Sequence, residues 1–286
     1  MNLQIQHFFD PATSTLTYIV FDKDTLDAVV IDPVWDYDPA ASKLSTQSMD
    51  PVVAYLKENH LRPHYVMETH AHADHLSSSQ LFKNFFPDIK IAIGERITEV
   101  QKIFKTVFNM QNLNTAGQDF DILLKDGQEL QAGSLKIKTL FTPGHTPACS
   151  SYLIEDALFT GDAIFMPDSG TGRCDFPAGS AASLYDSVMN RIYALPEKVR
   201  IFVGHDYQPQ GRPLQFQTTV AEQKMQNIQL KAHTSKEDFI KFRTERDKTL
   251  SAPKLLLPSI QVNIRAGHLP EPDNNGTRYL KLPLRQ

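Results

Sequence analysis

Short apolar runs of the strand type open the chain and then alternate with longer runs of helical period. The segment MDPVVAYLKENH has the apolar spacing of a helix, and RPHYVMET after it is typical of a strand. Three strand-like runs precede them: LQIQHFF, TLTYIVF and DAVVID. Turn-like segments separate these runs, and this pattern predicts an antiparallel meander. The first part of the chain is therefore predicted to be a meander followed by a β-α-β unit.

The rest of the chain repeats this order of strands followed by mixed units. SSSQLFKNFF and RITEVQKIFKTVF are predicted helices, and KIAIG between them is a predicted strand. The following segments predict a second β-rich set, a helix and a last strand: GQELQAGSLKIKTLF, SSYLIE, ALFTGD, SLYDSVMNRIYAL and RIFVGHD. Two such halves predict an α/β fold of two sheets packed face to face with helices outside, a four-layer αβ/βα sandwich.

The character of the chain changes from about Gln208 onward. TTVAEQKMQNIQLK and KEDFIKFRTERDK have helical patterns, whereas the proline-rich APKLLLPSIQVNIRAGHLPEPDNNG is predicted to be loop. So little periodic apolar content would bury only a small core. We therefore predict a catalytic core over residues 1–210 and a C-terminal helical and loop extension over residues 211–286 that covers the active-site side.

Composition narrows the class of protein. The chain has 286 residues, of which 41% are hydrophobic and 22% charged, and its net charge is -4 with a pI near 6.2. This balance favours neither nucleic acid nor anionic lipid as a partner. No apolar stretch approaches the length of a membrane span, and Cys149 and Cys174 are too few for a disulfide scaffold or a thiolate zinc site. A cytoplasmic protein with reduced thiols is predicted.

One stretch after a predicted strand is unusually rich in metal-binding residue types. METHAHADH places His70, His72, Asp74 and His75 within six positions. In extended backbone His70 and His72 point the same way, and Asp74 and His75 follow where the chain curls into the next element. This spacing allows two adjacent ions.

Three more candidates stand at the ends of apolar strands. They are His145 in LFTPGHTPACS, Asp162 in ALFTGDAIF and His205 in RIFVGHDY. Imidazole and carboxylate groups on rigid strand edges are the ligands that zinc and iron use when a coordination position stays open for chemistry. The pattern therefore predicts a catalytic metal site.

Four of these segments together resemble a known family. THAHADH, TPGHT, TGD and GHDY are similar, in this order and over roughly Phe9 to Gln210, to the motifs of the metallo-β-lactamase superfamily. Within it, the GRCDF segment and HDY resemble the persulfide dioxygenase (sulfur dioxygenase) branch, which is related to glyoxalase II. The superfamily fold is the αβ/βα sandwich already predicted.

The resemblance implies an iron-dependent oxidoreductase. It implies one Fe(II) per chain, held by His70, His145 and Asp162 as two histidines and one carboxylate, with positions left for substrate sulfur and dioxygen. The substrates would be glutathione persulfide and O2, and the products sulfite and glutathione. The other motif residues would orient the ligands and shuttle protons: His72, Asp74, His75 and His205.

Substrate-binding residues are predicted outside the metal motifs. Arg173 of GRCDF and the Tyr207 hydroxyl are candidate substrate contacts, and Arg173 and Asp175 are also candidates for an ion pair that braces the loop. KFRTERDK resembles the basic C-terminal helix of glyoxalase II, which implies glutathione-binding roles for three residues: Arg243, Arg246 and Lys248. A solvated helix face is the alternative for this run. Cys149 and Cys174 are expected to pack near the site.

Other functions use the same residues. A glyoxalase II-like hydrolase would fill the whole set with two Zn(II) ions and attack a thioester. A lactonase is a further alternative, in which Tyr207 polarises a carbonyl. A binding module without catalysis is disfavoured, because no residue of the metal pattern is missing. The apolar PKLLLPSIQVNI segment is expected to cover either the chain's own core or a partner subunit, and the second alternative would give a homodimer.

Overall fold

The computed structural model describes residues 2–284 of the chain. One six-stranded sheet comprises, in spatial order, β1 (Leu3–Asp10), β2 (Thr15–Asp22), β3 (Asp27–Ile31), β6 (Arg62–Glu68), β8 (Lys90–Gly94) and β9 (Ile122–Leu124). The first three strands pair antiparallel, which confirms the predicted meander. From β3 to β9 the pairing is parallel, so β6 and β8 deliver their following loops to the same sheet edge.

A second six-stranded sheet comprises β10 (Glu129–Ala132), β11 (Leu135–Phe141), β12 (Ser150–Ile154), β13 (Ala157–Phe159), β14 (Arg200–Phe202) and β15 (Gln217–Thr219). Its pairing is antiparallel except between β13 and β14. A small third sheet contains β5 (Lys43–Ser45), β4 (Val34–Asp38) and β7 (Leu76–Ser77). The strands predicted from the sequence are confirmed.

Seven α-helices accompany the sheets: α1 (Met49–Glu58), α2 (Ser79–Phe82), α3 (Ile97–Val107), α4 (Ala181–Ser187), α5 (Val220–Gln226), α6 (Lys236–Asp247) and α7 (Leu256–Asn263), counted over residues 2–284. α2 is shorter than its sequence predicted, and α4 continues into one π-helical turn, Val188–Ile192. None of the helices in the described part of the chain is long and apolar enough to cross a membrane.

Strand β2 shows why the layers stack as they do. All eight of its residues are buried. Tyr18 faces the second sheet, where its ring centroid lies 5.2 Å from that of Phe159 and 5.7 Å from that of Phe202. Its neighbour Ile19 points the other way, into the core that α1 and α3 cover. Both faces of the sheet are therefore buried, and the predicted αβ/βα sandwich is confirmed.

The C-terminal extension contains more regular structure than its sequence suggested. The predicted loop over APKLLLPSIQVNIRAG is wrong, because residues 256–263 form α7. Pro258 is the third helical residue, and in the first turn a backbone N–H has no helical partner to lose, so proline is tolerated there. β15 lies beyond the predicted boundary at residue 210 and pairs with β14. The division itself stays a prediction, and Met1, Arg285 and Gln286 lie outside the described residues.

Asp27, at the start of β3, joins the two sheets. Its Oδ1 lies 2.7 Å from His64 Nε2 and accepts a hydrogen bond from Arg62 Nη2 at 3.0 Å, while Oδ2 accepts one from the Ser134 backbone N–H at 2.9 Å. Ser134 stands in the turn between β10 and β11 of the second sheet. Burial alone would raise the pKa of Asp27, but its hydrogen bonds, above all with His64, hold that pKa well below its usual value.

We expect Asp27→Asn to lower the free energy of unfolding at pH 7 by about 1–3 kcal/mol, because the partners of this buried carboxylate lose a charged acceptor. A depressed folded-state pKa stabilises the protein above the unfolded-state pKa, near 4, and this contribution is lost as the pH falls further. Urea unfolding of both proteins should therefore show a difference that shrinks below about pH 4. Asp24→Asn, at an exposed position in the turn between β2 and β3, is the control. A difference independent of pH would contradict this assignment.

Candidate metal centre

Four strand ends bring the predicted metal residues together at one edge of the sandwich. His70 follows β6, His145 follows β11, Asp162 follows β13 and His205 follows β14, and all four side chains are buried. Gly161, with φ of 49°, packs directly on the Thr69 side chain. A side chain there would meet Thr69, so glycine is what lets the loop place Asp162 beside His70.

His70, His145 and Asp162 form one donor group. One ligand atom from each lies within 4.8 Å of the others. His145 Nδ1 donates to the Arg173 carbonyl at 2.7 Å, which leaves Nε2 facing Asp162 Oδ2 at 3.5 Å. The His145 ring thus has one nitrogen anchored by the backbone and one that faces the centre, as metal-binding histidines do.

His72, Asp74 and His75 form a second donor group, again with ligand atoms within 4.8 Å of one another. His75 Nδ1 donates to the Leu76 carbonyl at 3.0 Å, so its Nε2 faces inward. His205 adjoins this group, because its Nε2 lies 3.3 Å from Asp74 Oδ2. Its Nδ1 donates to the Ser14 carbonyl at 3.2 Å, and this bond orients the ring.

Asp162 connects the two donor groups. Its Oδ2 faces His145, and its Oδ1 lies 3.3 Å from His205 Nε2. Over the described residues, three buried nitrogens of the motif have neither a hydrogen-bond partner nor an ion-pair contact: His70 Nε2, His72 Nδ1 and His75 Nε2. Each such buried atom costs about 1–3 kcal/mol when nothing binds it, so this donor set fits metal ions. Imidazole and carboxylate donors suit zinc or iron.

Two carboxylates that were not predicted from the sequence support the histidines. Asp32 Oδ1 lies 3.1 Å from His72 Nε2, and Glu68 Oε2 lies 3.3 Å from the same nitrogen. Asp32 Oδ2 also accepts a hydrogen bond from Thr69 Oγ1 at 2.8 Å. Because that hydroxyl hydrogen is committed to Asp32, Thr69 Oγ1 accepts from His70 Nδ1 at 3.0 Å. Asp32 therefore acts on both histidines.

The pKa shifts match these contacts. Burial, and then the nearby His72 and His145, hold the pKa of His70 well below its usual value, so this ring is in the neutral form that binds metals. Burial would raise the pKa of Asp74, but His205 and His75 lower it to about 2. For His72 the directions are reversed. Burial alone would lower its pKa, but the charge of Asp32 raises that pKa well above its usual value.

The GRCDF loop is braced as predicted and touches the centre. Arg173 binds Asp175 through Nε–Oδ1 and Nη2–Oδ2 contacts of 2.6 Å each, which confirms the predicted ion pair. The Arg173 carbonyl is the acceptor that orients His145. Cys174 and Cys149 are both buried free thiols, and burial raises the pKa of Cys149 to about 12. Neither thiol is prepared for nucleophilic attack.

Tyr207 lies beside the metal residues. Its ring stacks on His205 with a centroid distance of 5.7 Å and an interplanar angle of 12°. Together with Asp74 and His75 it lines a cavity of about 590 Å³, which is a volume suited to a small molecule. A role of its hydroxyl in substrate binding stays a prediction.

The three basic residues predicted to bind glutathione have different surroundings. Arg243 is buried, and its guanidinium binds Asp247 Oδ1 at 2.6 Å, Gln229 Oε1 at 3.0 Å and the Thr171 carbonyl at 3.2 Å. It therefore braces α6 against the loop that precedes GRCDF. Arg246 and Lys248 are exposed, and Lys248 Nζ donates to Glu245 Oε1 at 2.9 Å. None of the three lines the 590 Å³ cavity in the described part of the chain.

Comparison with known proteins identifies the family, since residues 11–205 match the Metallo-beta-lactamase superfamily. The chain belongs to this superfamily. The match spans the seven metal-type residues from His70 to His205, and the buried histidine and aspartate groups described above are consistent with a metal site of this superfamily. The resemblance inferred from the sequence motifs is confirmed.

Similar proteins carry more than one name. The chain is 49% identical to "Glyoxylase B2" of Dictyostelium discoideum over 98% of this chain and 97% of that protein. It is 30% identical to the mitochondrial persulfide dioxygenase ETHE1 of Homo sapiens over 92% of this chain and 88% of that protein. The chain also aligns with the crystal structure of ETHE1 from Myxococcus xanthus, with a TM-score of 0.74 and 30% identity. The alignment covers 93% of this chain and 100% of that chain.

Proposed function

We propose that this superfamily member is a two-metal hydrolase that cleaves a thioester of a small thiol such as glutathione. The observation that carries the proposal is the position of Asp162, whose two carboxylate oxygens face His145 of one donor group and His205 beside the other. A carboxylate so placed suits two adjacent ions. The name of the Dictyostelium relative supports a glyoxalase-type hydrolase.

The residues of the chain would hold and orient the reacting groups. Two divalent ions bound here would lower the pKa of a bound water and polarise a carbonyl group. Thr69 keeps His70 in the tautomer whose Nε2 lone pair faces the centre, and the Arg173 carbonyl does the same for His145. The cavity beside Tyr207 would hold the thioester next to Asp74 and His75.

A persulfide dioxygenase is the second candidate function. It is favoured by the compact group of His70, His145 and Asp162, two histidines and a carboxylate, and by the GRCDF loop, which orients His145. An iron ion in that group would supply dioxygen chemistry. Glutathione persulfide, O2 and water would give glutathione and sulfite. The likeness to the human and Myxococcus proteins supports this alternative.

Metal analysis with two assays separates the candidates. The full chain is purified without oxygen, zinc and iron are counted per chain, and S-lactoylglutathione hydrolysis and oxygen uptake with glutathione persulfide are measured. We expect two ions per chain and hydrolysis without oxygen uptake. One iron per chain with rapid oxygen uptake would overturn the hydrolase in favour of the dioxygenase.

A further inference from the structure

The C-terminal extension reaches the metal centre through one side chain. Asn263 is the last residue of α7, and only 4% of it is exposed. It lies well beyond residue 205, where the superfamily match ends. Its carboxamide contacts the segment that carries the second donor group, so the extension does more than cover the site.

Three hydrogen bonds join Asn263 to that segment. Its Nδ2 donates to the carbonyls of His72 at 2.8 Å and of His75 at 2.7 Å, and its Oδ1 accepts from the Ser77 backbone N–H at 2.7 Å. Both amide hydrogens are thereby used. The residues between β6 and β7 form irregular backbone whose buried polar groups need such partners. One planar amide group thus fixes the separation of the His72 and His75 carbonyls.

Neighbouring contacts hold Asn263 in place. Gly267 has φ of 87° and packs so closely on this segment that an added Cβ would lie 2.8 Å from the Ser77 carbonyl oxygen. On the other side, Gln101 of α3 donates from Nε2 to the Ile264 carbonyl at 2.8 Å. The end of α7 is therefore fixed against both the metal-binding segment and α3.

We propose that Asn263 is a positioning residue of the metal centre. By holding the backbone of residues 72–77, it sets the places of His72, Asp74 and His75 before any ion binds. The proposal rests on the metal centre, which both candidate reactions require, and it does not depend on which reaction occurs. Binding of zinc alone therefore tests it, and failure of thioester hydrolysis would leave the result standing.

The test compares isosteric changes on the same helix. Asn263→Asp replaces the amide group that faces two carbonyls by an oxygen that repels them. Gln261→Glu is the matched control, because the buried Gln261 carboxamide also donates to two carbonyls, those of Leu257 and Lys281, and accepts from the Lys281 N–H. These contacts lie away from the metal centre.

We expect Asn263→Asp to weaken zinc binding in chelator competition by about 10–100-fold, which is typical when a partner of metal ligands is lost. Gln261→Glu should leave zinc affinity unchanged. Asn263→Ser, whose shorter side chain lacks the two amide donors and adds no charge, should reproduce the loss and carries the test if Asn263→Asp does not fold.

Thermal unfolding distinguishes positioning of the metal-binding segment from a contribution to fold stability alone. A positioning role predicts that the rise in Tm at a fixed zinc concentration is smaller in the Asn263 variants, because ligand stabilisation depends on affinity. The proposal is wrong if the Tm of the Asn263 variants falls by the same amount with and without zinc and their zinc affinity is unchanged. Equal weakening of zinc binding by Gln261→Glu would also overturn it.

Discussion

Asp162→Ala is expected to remove both metal ions and to lower the catalytic rate by about a thousandfold or more, because metal ions supply several kcal/mol of transition-state stabilisation. The Asp162 carboxylate is the group that faces both His145 and His205, so neither ion keeps its full set of donors. Metal analysis after dialysis, together with kcat for the active substrate, measures both effects.

Two comparisons sharpen this prediction. His75→Ala removes a ligand-type residue from the second donor group alone and should leave one ion per chain. Asp156→Ala removes an aspartate at the far end of β13, where it pairs with Arg200 at 2.7 Å, and should leave metal content and rate unchanged. If Asp162→Ala retains one tightly bound ion, Asp162 does not connect two ion sites.

Asp32→Asn has the second largest expected effect. Asp32 Oδ1 lies against His72 and accepts from the Thr69 N–H at 2.7 Å, and Oδ2 accepts from the Thr69 hydroxyl that orients His70. Removing one charge of a buried pair costs about 3–5 kcal/mol. We expect a loss of this size in the unfolding free energy of the metal-free protein, and a further loss of about 10–100-fold in zinc affinity.

The substitution is chosen to avoid backbone strain. Asp32 has φ of 49°, a left-handed conformation that asparagine adopts at lower cost than alanine. Asp27→Asn is the matched control, since Asp27 begins the strand that Asp32 follows. The control should lose stability and keep its zinc affinity. Equal zinc affinity in Asp32→Asn and the native protein would show that Asp32 supports the fold alone.

The sequence was sufficient to predict the sandwich and the group of metal-type residues. Strand periodicity places His70, Asp162 and His205 at strand ends. The adjacent parallel strands β13 and β14 bring Asp162 and His205 together, and the packing of the two sheets brings His70 beside them. The two donor groups follow from this geometry. Which ions they bind does not follow, because imidazole and carboxylate donors accept several metals.

The supporting residues could be predicted only in part. Asp32 and Glu68 each end or follow an apolar strand, AVVID and YVME, and that position was the available signal. Asn263 had none, since its partners are backbone groups nearly 190 positions earlier in the chain. Arg243 was predicted to bind substrate from the resemblance of its segment to the basic helix of glyoxalase II, whereas Asp247, four positions later, gives it a buried ion pair.

Anomalous diffraction at the zinc edge, from crystals of the zinc-loaded full chain, tests the two-metal centre most directly. The Asp162 geometry predicts two peaks in each molecule. One should lie beside His70 and His145, and the other beside Asp74, His75 and His205. A single peak beside His70, His145 and Asp162 at saturating zinc would contradict the two-metal centre and, with it, the proposed hydrolase.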